Sequence, residues 1–274
     1  MATNPANNST NNPYDQQKPI PGIKNIIAIG SGKGGVGKSS VTAHLGIALK
    51  QMGFKVGILD TDIYGPSIPR LFGCLNQKPE IDEVSQKIKT IDKYGLKLMS
   101  MGFLIDESQA VVWRGPMLFK ALDQFFKDVD WGELDYLLID LPPGTGDIAL
   151  SVAQKVPVAG AIVVSTPQNL SLVDARKAFD MFDQIRIPVM GYIENMSYLK
   201  LAGSNEKIQL FPKGQADIFL KNKPDLKKFE IPFETELGMA CETGIPLNQM
   251  NTGHSVSEIF NDIAKFVASK TNLI

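Results

Sequence analysis

The run Gly32-Lys33-Gly34-Gly35-Val36-Gly37-Lys38-Ser39 constrains the fold and chemistry of this chain more than any other feature. It follows a short apolar strand, Ile26 to Ile29. It precedes a helical pattern from Lys38 to Met52 that carries Val41, Leu45, Ala48 and Leu49. Strand, glycine turn and helix form the setting in which main-chain N–H groups converge on phosphate oxygens. The helix N-terminus contributes the positive end of its dipole, Lys38 is placed to reach the β and γ phosphates, and Ser39 to ligate Mg²⁺, with Ser40 beside it. A rival pattern overlaps this one. Gly30, Gly32 and Gly35 also spell a dinucleotide-binding fingerprint, and Asp60 ends the next strand where a ribose-binding acid stands in such folds. Two lysines within the loop, Lys33 and Lys38, suit a triphosphate better than a pyrophosphate.

Further apolar runs of strand length occur at Val56 to Leu59, Leu96 to Met99, Tyr136 to Ile139, Ala161 to Val164 and Val189 to Ile193. Most lack polar alternation, which marks strands covered on both faces, as in a parallel sheet. Helical patterns at Met117 to Phe126, Asp147 to Lys155 and Ser171 to Ile185 lie between them, and the alternation predicts a doubly wound α/β sheet, mainly parallel. With 274 residues, 43% of them hydrophobic, the chain is long enough for one large domain of this kind. Residues 1–22, rich in Asn and Pro, have too little apolar surface to offset the entropy of ordering and read as a disordered tail; residues 23–274 read as the ATPase domain.

Two strand ends are acidic. Asp60-Thr61-Asp62 follows Val56 to Leu59, and Asp140 follows Tyr136 to Ile139, which puts carboxylates at the carboxyl edge of the sheet where α/β folds bind ligands. A nucleotide-bound magnesium ion needs one or two such groups, so Ser39, Asp60 and Asp140 are its expected ligands. Asp62 is the expected orienter of the attacking water. Lys33 is placed to reach inward or toward a facing subunit, and Gly144 and Gly146 after Pro142-Pro143 give a stiff segment room to move. Taken alone, a strand-end aspartate is an ordinary turn former or helix cap.

The loop with its early lysine resembles the deviant Walker A motif of the MinD and ParA class, in which that lysine crosses a dimer interface to the partner's nucleotide. Within that class the chain is similar to the Mrp family of ATP-binding iron–sulfur cluster carriers. The matching runs are Asp60-Thr61-Asp62-Ile63-Tyr64-Gly65-Pro66-Ser67, Trp113-Arg114-Gly115-Pro116-Met117, Asp140-Leu141-Pro142-Pro143-Gly144-Thr145-Gly146-Asp147, Thr166-Pro167-Gln168 and Glu194-Asn195-Met196-Ser197, and the likeness covers about residues 23–270. It implies a MinD/ParA-like P-loop fold, ATP and Mg²⁺ as cofactors, Asn195 and Pro232 on the adenine side, a homodimer with nucleotides at its interface, and delivery of clusters to apo iron–sulfur proteins.

One departure bears on that last implication. The family usually places a Cys-x-x-Cys pair shortly after Asn-Met-Ser, whereas this chain has Leu201 and Ser204 at those positions, which lack soft thiolate donors. Its two cysteines, Cys74 and Cys241, lie far apart and read more simply as small core residues. A nucleotide-dependent switch or scaffold that binds protein partners without a cluster is therefore the alternative. The charge balance, 28 Lys plus Arg against 29 Asp plus Glu, argues against a counterion-driven grip on nucleic acid. No apolar run is long enough to span a bilayer, and the C-terminal pattern Val256, Ile259, Phe260, Ile263, Phe266, Val267 reads as a helix docked on its own domain rather than on a membrane. The expectation is a soluble cytoplasmic protein.

Overall fold

The computed structural model describes residues 17–104, 115–144, 146–200, 206–212, 215–250, 254–271 and 273. Its centre is an eight-stranded sheet in the order β12-β9-β8-β1-β7-β2-β5-β4. These strands are β1 (Ile23–Ser31), β2 (Val56–Asp60), β4 (Ile91–Lys93), β5 (Leu96–Ser100), β7 (Leu134–Asp140), β8 (Gly160–Ser165), β9 (Val189–Glu194) and β12 (Lys227–Glu230). All neighbours pair in parallel except the edge strand β4, which runs antiparallel to β5. β2 and β8 are buried along their whole length, the pattern expected when helices cover both faces.

Strand order decides between the two readings of the glycine loop. In a dinucleotide fold the second strand lies next to the first, whereas here β7 is inserted between β1 and β2. Both acidic strand ends are thereby brought beside the loop. Asp140 pairs in register with Ile29 on one side and with Asp60 on the other.

The helix Lys38–Gln51 is buried on nearly every position and packs against the C-terminal helix Ser255–Lys270, where the His44 ring stacks on Phe260 at 5.1 Å between centroids. Val256, Phe260, Ile263, Ala264, Val267 and Ala268 of that last helix are buried in the shared core. Its apolar stripe is spent on this contact, each large side chain contributing about 1.5–3 kcal/mol by burial. No helix among the described residues is long and apolar enough to cross a membrane.

Three differences from the sequence reading have physical causes. The tail boundary lies earlier than residue 22, because Ile20 is buried in the core, the Lys18 amide donates to the Lys155 carbonyl at 2.8 Å, and the Gln17 side chain bonds Ala153. One buried apolar side chain and two hydrogen bonds suffice to hold residues 17–22 against the domain. The polar stretch after β9 hides β12, where Lys227, Lys228 and Glu230 alternate with the buried Phe229, and the small pair β10 (Leu199–Lys200) and β11 (Lys207–Ile208). A second two-stranded element, β3 (Ile88–Lys89) with β6 (Val129–Asp130), also carried no apolar run to betray it.

Candidate functional site

The glycine loop sits at the carboxyl edge of the sheet, between β1 and the helix Lys38–Gln51. Gly37 is both the left-handed N-cap of that helix, with φ 82°, and a point of close approach, since a Cβ there would overlap the Asn195 amide nitrogen. Gly32 is required for a different reason: a Cβ there would run into the Asp174 carbonyl of the helix Asn169–Gln184. The amides of Gly34 and Gly35, both exposed, donate to no acceptor among the described residues. They lie open at the start of a helix, as an anion site requires.

Behind the loop is a closed set of polar contacts. Lys38 Nζ lies 2.7 Å from Asp140 Oδ1 and 3.3 Å from the Ser39 hydroxyl. Ser39 Oγ donates to Asp140 Oδ2 at 2.6 Å, and Thr42 Oγ1 to Asp140 Oδ1 at 2.9 Å. Asp140 has no solvent exposure and Lys38 only 6%, so this is a buried ion pair whose lone pairs are satisfied by the two hydroxyls. Asp60, equally buried, accepts from the amides of Asp62 and Ile68 and from the Ser100 hydroxyl at 3.0–3.2 Å. Burial, and next the Asp140 charge, push its carboxyl up to about 7 against the pull of Lys38 and of the amide donors.

Asp62 stands farther out. One carboxylate oxygen accepts from the amides of Tyr64 at 3.1 Å and Gly65 at 3.2 Å, so it builds the turn after β2. The turn-forming and water-orienting readings are therefore compatible, since one oxygen suffices for the turn. Lys33 reaches neither Asp140 nor Asp60 but donates to the Gln168 side-chain carbonyl at 3.2 Å. The Leu141–Gly144 segment folds over the loop: the Gly144 amide bonds the Ser31 carbonyl at 3.1 Å, and Gly34 faces Pro143. Thr145 lies outside the described residues.

On the opposite flank, Asn195 follows β9 and its Nδ2 donates to the Val36 carbonyl at 2.9 Å. That bond fixes which way the amide points and leaves Oδ1 buried without a partner among the described residues. Thr166 Oγ1, after the neighbouring β8, is likewise buried and unpartnered among the described residues. The Ser197 amide donates to the Ile231 carbonyl and Phe233's to Tyr198, which brings the buried Pro232 to the same side as Asn195.

Ser40 turns away from the loop, its hydroxyl 3.1 Å from the Cys241 sulfur. His44 Nδ1–H donates to the Ser40 carbonyl, its Nε2 accepts from the Leu247 amide, and burial lowers its pKa, so this ring is a neutral structural spacer. Cys74 is buried and burial pushes its thiol up to about 11, while the Cys241 thiol is raised by the same cause. Both oppose the thiolate form that binds metals. Leu201 and Ser204 lie outside the described residues. Thr42 and Ser100 were not singled out in the sequence, and Thr166 and Gln168 stood there only as part of a matching run, without an assigned role. Thr42 carried a signal of its own, one helical turn after Lys38 on the same face. A groove of about 1150 Å³ opens at the amino edge of the sheet among Lys18, Trp131 and Lys155; it shares no residue with this site.

Comparison with known proteins agrees with this geometry. The chain matches the NUBPL iron-transfer P-loop NTPase family, of the ParA class, over residues 22–268. An iron–sulfur cluster carrier protein of Aquifex aeolicus is 45% identical over 269 residues, covering 96% of this chain and 73% of its own length. A mitochondrial iron–sulfur protein required for NADH dehydrogenase in Arabidopsis thaliana is 42% identical, with 90% and 78% covered. Among solved structures, a nucleotide-binding protein of Archaeoglobus fulgidus in complex with ADP superposes with a TM-score of 0.72 at 39% identity, over 82% of this chain and 88% of that one. The Pyrococcus furiosus cell division ATPase MinD shares the fold, with a TM-score of 0.67 at 21% identity over 90% of this chain and 99% of its own. A loop, strand order and acid pair of the P-loop kind, together with a family match along nearly the whole described chain, lead to one conclusion: the chain belongs to the NUBPL iron-transfer P-loop NTPases.

Proposed function

We propose that residues 23–274 form one Mg-ATP-hydrolysing domain that works as a nucleotide-switched homodimer in the delivery of iron–sulfur clusters to apoproteins. The observation that carries the nucleotide half is the buried Lys38–Asp140 pair directly beneath the unoccupied donors of Gly34 and Gly35. In this reading the loop Gly32, Lys33, Gly34, Gly35, Val36, Gly37, Lys38 and Ser39 wraps the phosphates, and Ser40, whose hydroxyl is turned to Cys241, takes part through its backbone alone. The oxygen donors Ser39, Asp60 and Asp140 suit a hard cation, and Mg²⁺ supplies charge neutralisation on the phosphates when bound. Asp62 orients water through the carboxylate oxygen that its turn does not use. Asn195 Oδ1 accepts from the adenine amino group, with Pro232 against the base.

Phosphoryl transfer asks the protein mainly for positioning and charge, which this arrangement offers. Lys38 would exchange the Asp140 oxygen for phosphate oxygens, and Asp140 is then one of the carboxylates that would hold the cation. The names of the relatives, cluster carriers among them, support the delivery half. Two free thiols, one of them deeply buried, fit a reducing cytoplasm.

A second reading, a switch that binds protein partners without holding a cluster, is favoured by the raised thiols of Cys74 and Cys241 and by Leu201 and Ser204. Two measurements separate them. Calorimetry with Mg-ATP tests the site: binding in the micromolar range is expected, and none at millimolar nucleotide would reject it. Anaerobic reconstitution with iron and sulfide, read by absorption and by transfer to an apo-acceptor, tests the cargo. A transferable cluster sustains the carrier reading, and a colourless ATP-binding protein leaves the switch.

A further inference from the structure

We infer that Gln168 is a positioning residue that holds Lys33 within its own chain, so that release of this contact accompanies the engagement of Lys33 by phosphate. The inference rests on the nucleotide-site reading above. Lys33 leaves the loop on the side of β8 and its ammonium meets the Gln168 carbonyl oxygen at 3.2 Å, although 135 residues separate the two. Gln168 occupies the N-cap position of the helix Asn169–Gln184, with extended φ/ψ of −64° and 135°, yet its side chain makes no capping bond. The residues that ordinarily cap a helix, Ser, Thr, Asp and Asn, turn a short side-chain acceptor onto its first free amides, and the longer Gln168 side chain is not committed in that way. Here the acceptor is turned outward onto the lysine.

The surroundings make the contact a built one. The Gly32 backbone is packed against the Asp174 carbonyl of the same helix, and Ser31 Oγ donates to the Lys33 carbonyl at 3.0 Å, so the backbone on the lysine's side is fixed. On the other side, Ser165 Oγ bonds the Ser171 hydroxyl and carbonyl, and Ser171 Oγ accepts from the Thr166 amide, which pins the turn that carries Gln168. Two anchored backbones therefore face one another across a single side-chain bond. The competing anion, Asp174, is engaged by Lys177 at 3.0 Å. A neutral amide holds an ammonium more weakly than a carboxylate does. It suits a contact that phosphate oxygens must outcompete.

Holding Lys33 in cis lowers the fraction of chains whose lysine is available, and apparent affinity scales with that fraction. Two variants give opposite signs. Gln168→Ala removes the acceptor, whereas Gln168→Glu replaces it with a charged one and, at a helix N-terminus, does not destabilise the helix. The test is acylation footprinting of the nucleotide-free full chain by mass spectrometry, with the exposed Lys177 as internal reference. Lys33 should label about threefold faster in Gln168→Ala and about threefold slower in Gln168→Glu at low salt. The nucleotide concentration giving half-maximal self-association in sedimentation should fall in the first and rise in the second, and added salt should erase only the second effect. Equal Lys33 labelling in all three proteins, or both variants shifting self-association the same way, would overturn the inference. Calorimetry on the wild-type chain separates the failures: absent ATP binding removes the nucleotide site, whereas intact binding with unchanged Lys33 labelling removes the contact's role alone.

Discussion

The two flanks of the loop are built on opposite principles. On the flank proposed for the phosphates, Lys38, Ser39, Thr42 and Asp140 bond one another in a largely buried set. On the flank proposed for the base, Asn195 Oδ1 and Thr166 Oγ1 are buried with no partner among the described residues. A ligand arriving on the first flank must exchange existing bonds, so its net gain there is small relative to the gross interactions. On the second flank it satisfies acceptors whose desolvation has already been incurred in folding. The contrast teaches that in the proposed site the triphosphate would supply the switch, because it must rearrange what it touches, while the base would supply retention.

That contrast can be broken first at Lys38. Lys38→Ala should abolish measurable ATP binding in calorimetry and, by leaving Asp140 charged and buried alone, lower the stability of the nucleotide-free fold by about 3–5 kcal/mol in urea denaturation. Unchanged affinity would remove the loop assignment, and unchanged stability would mean the phosphate flank is not a closed set. Asp62→Asn comes next. It retains an acceptor for the Tyr64 and Gly65 amides and should leave ATP affinity within about twofold while lowering turnover roughly 100-fold; wild-type turnover would assign Asp62 to the turn alone.

On the base flank, Asn195→Ala should weaken ATP about tenfold without altering turnover of bound nucleotide, and should narrow the preference for ATP over GTP, whose 6-oxo group offers no donor to Oδ1. An equal loss for both nucleotides would show that the residue acts through the Val36 carbonyl instead. The smallest effect is a pH slope. The Asp60 carboxyl titrates near 7 in the fold and near about 4 in an unfolded chain, so the fold holds an extra proton between those values and loses stability as pH rises through that window. Denaturation midpoints measured from pH 4.5 to 7.5 should follow this trend, and Asp60→Asn should flatten it.

How much of this was legible depended on range. Lys38 and Ser39 were visible because the glycine spacing, the helix start and the charge all lie within a single turn of chain. Asp60 and Asp140 were visible because each ends an apolar strand. Ser100 carried no such local sign, and Gln168 stood in a matching run without a role; each acquires its contact from a residue on another strand or loop, 40 and 135 positions away. β12 was hidden because an edge strand needs only Phe229 buried and reads as polar chain otherwise.

The sequence by itself determined a parallel α/β sheet, a phosphate loop and a set of strand-end carboxylates, since these follow from short-range periodicity and from the chemistry of adjacent residues. Only the tertiary structure decided that β7 lies between β1 and β2, which sets Asp140 in register beside Asp60. It also decided that Lys38 rests on Asp140, that Asn195 is turned by Val36, and that Lys33 is held by Gln168. The physical reason is that strand order and side-chain pairing are settled by the burial of whole faces against one another. No local pattern records which distant partner that burial will select.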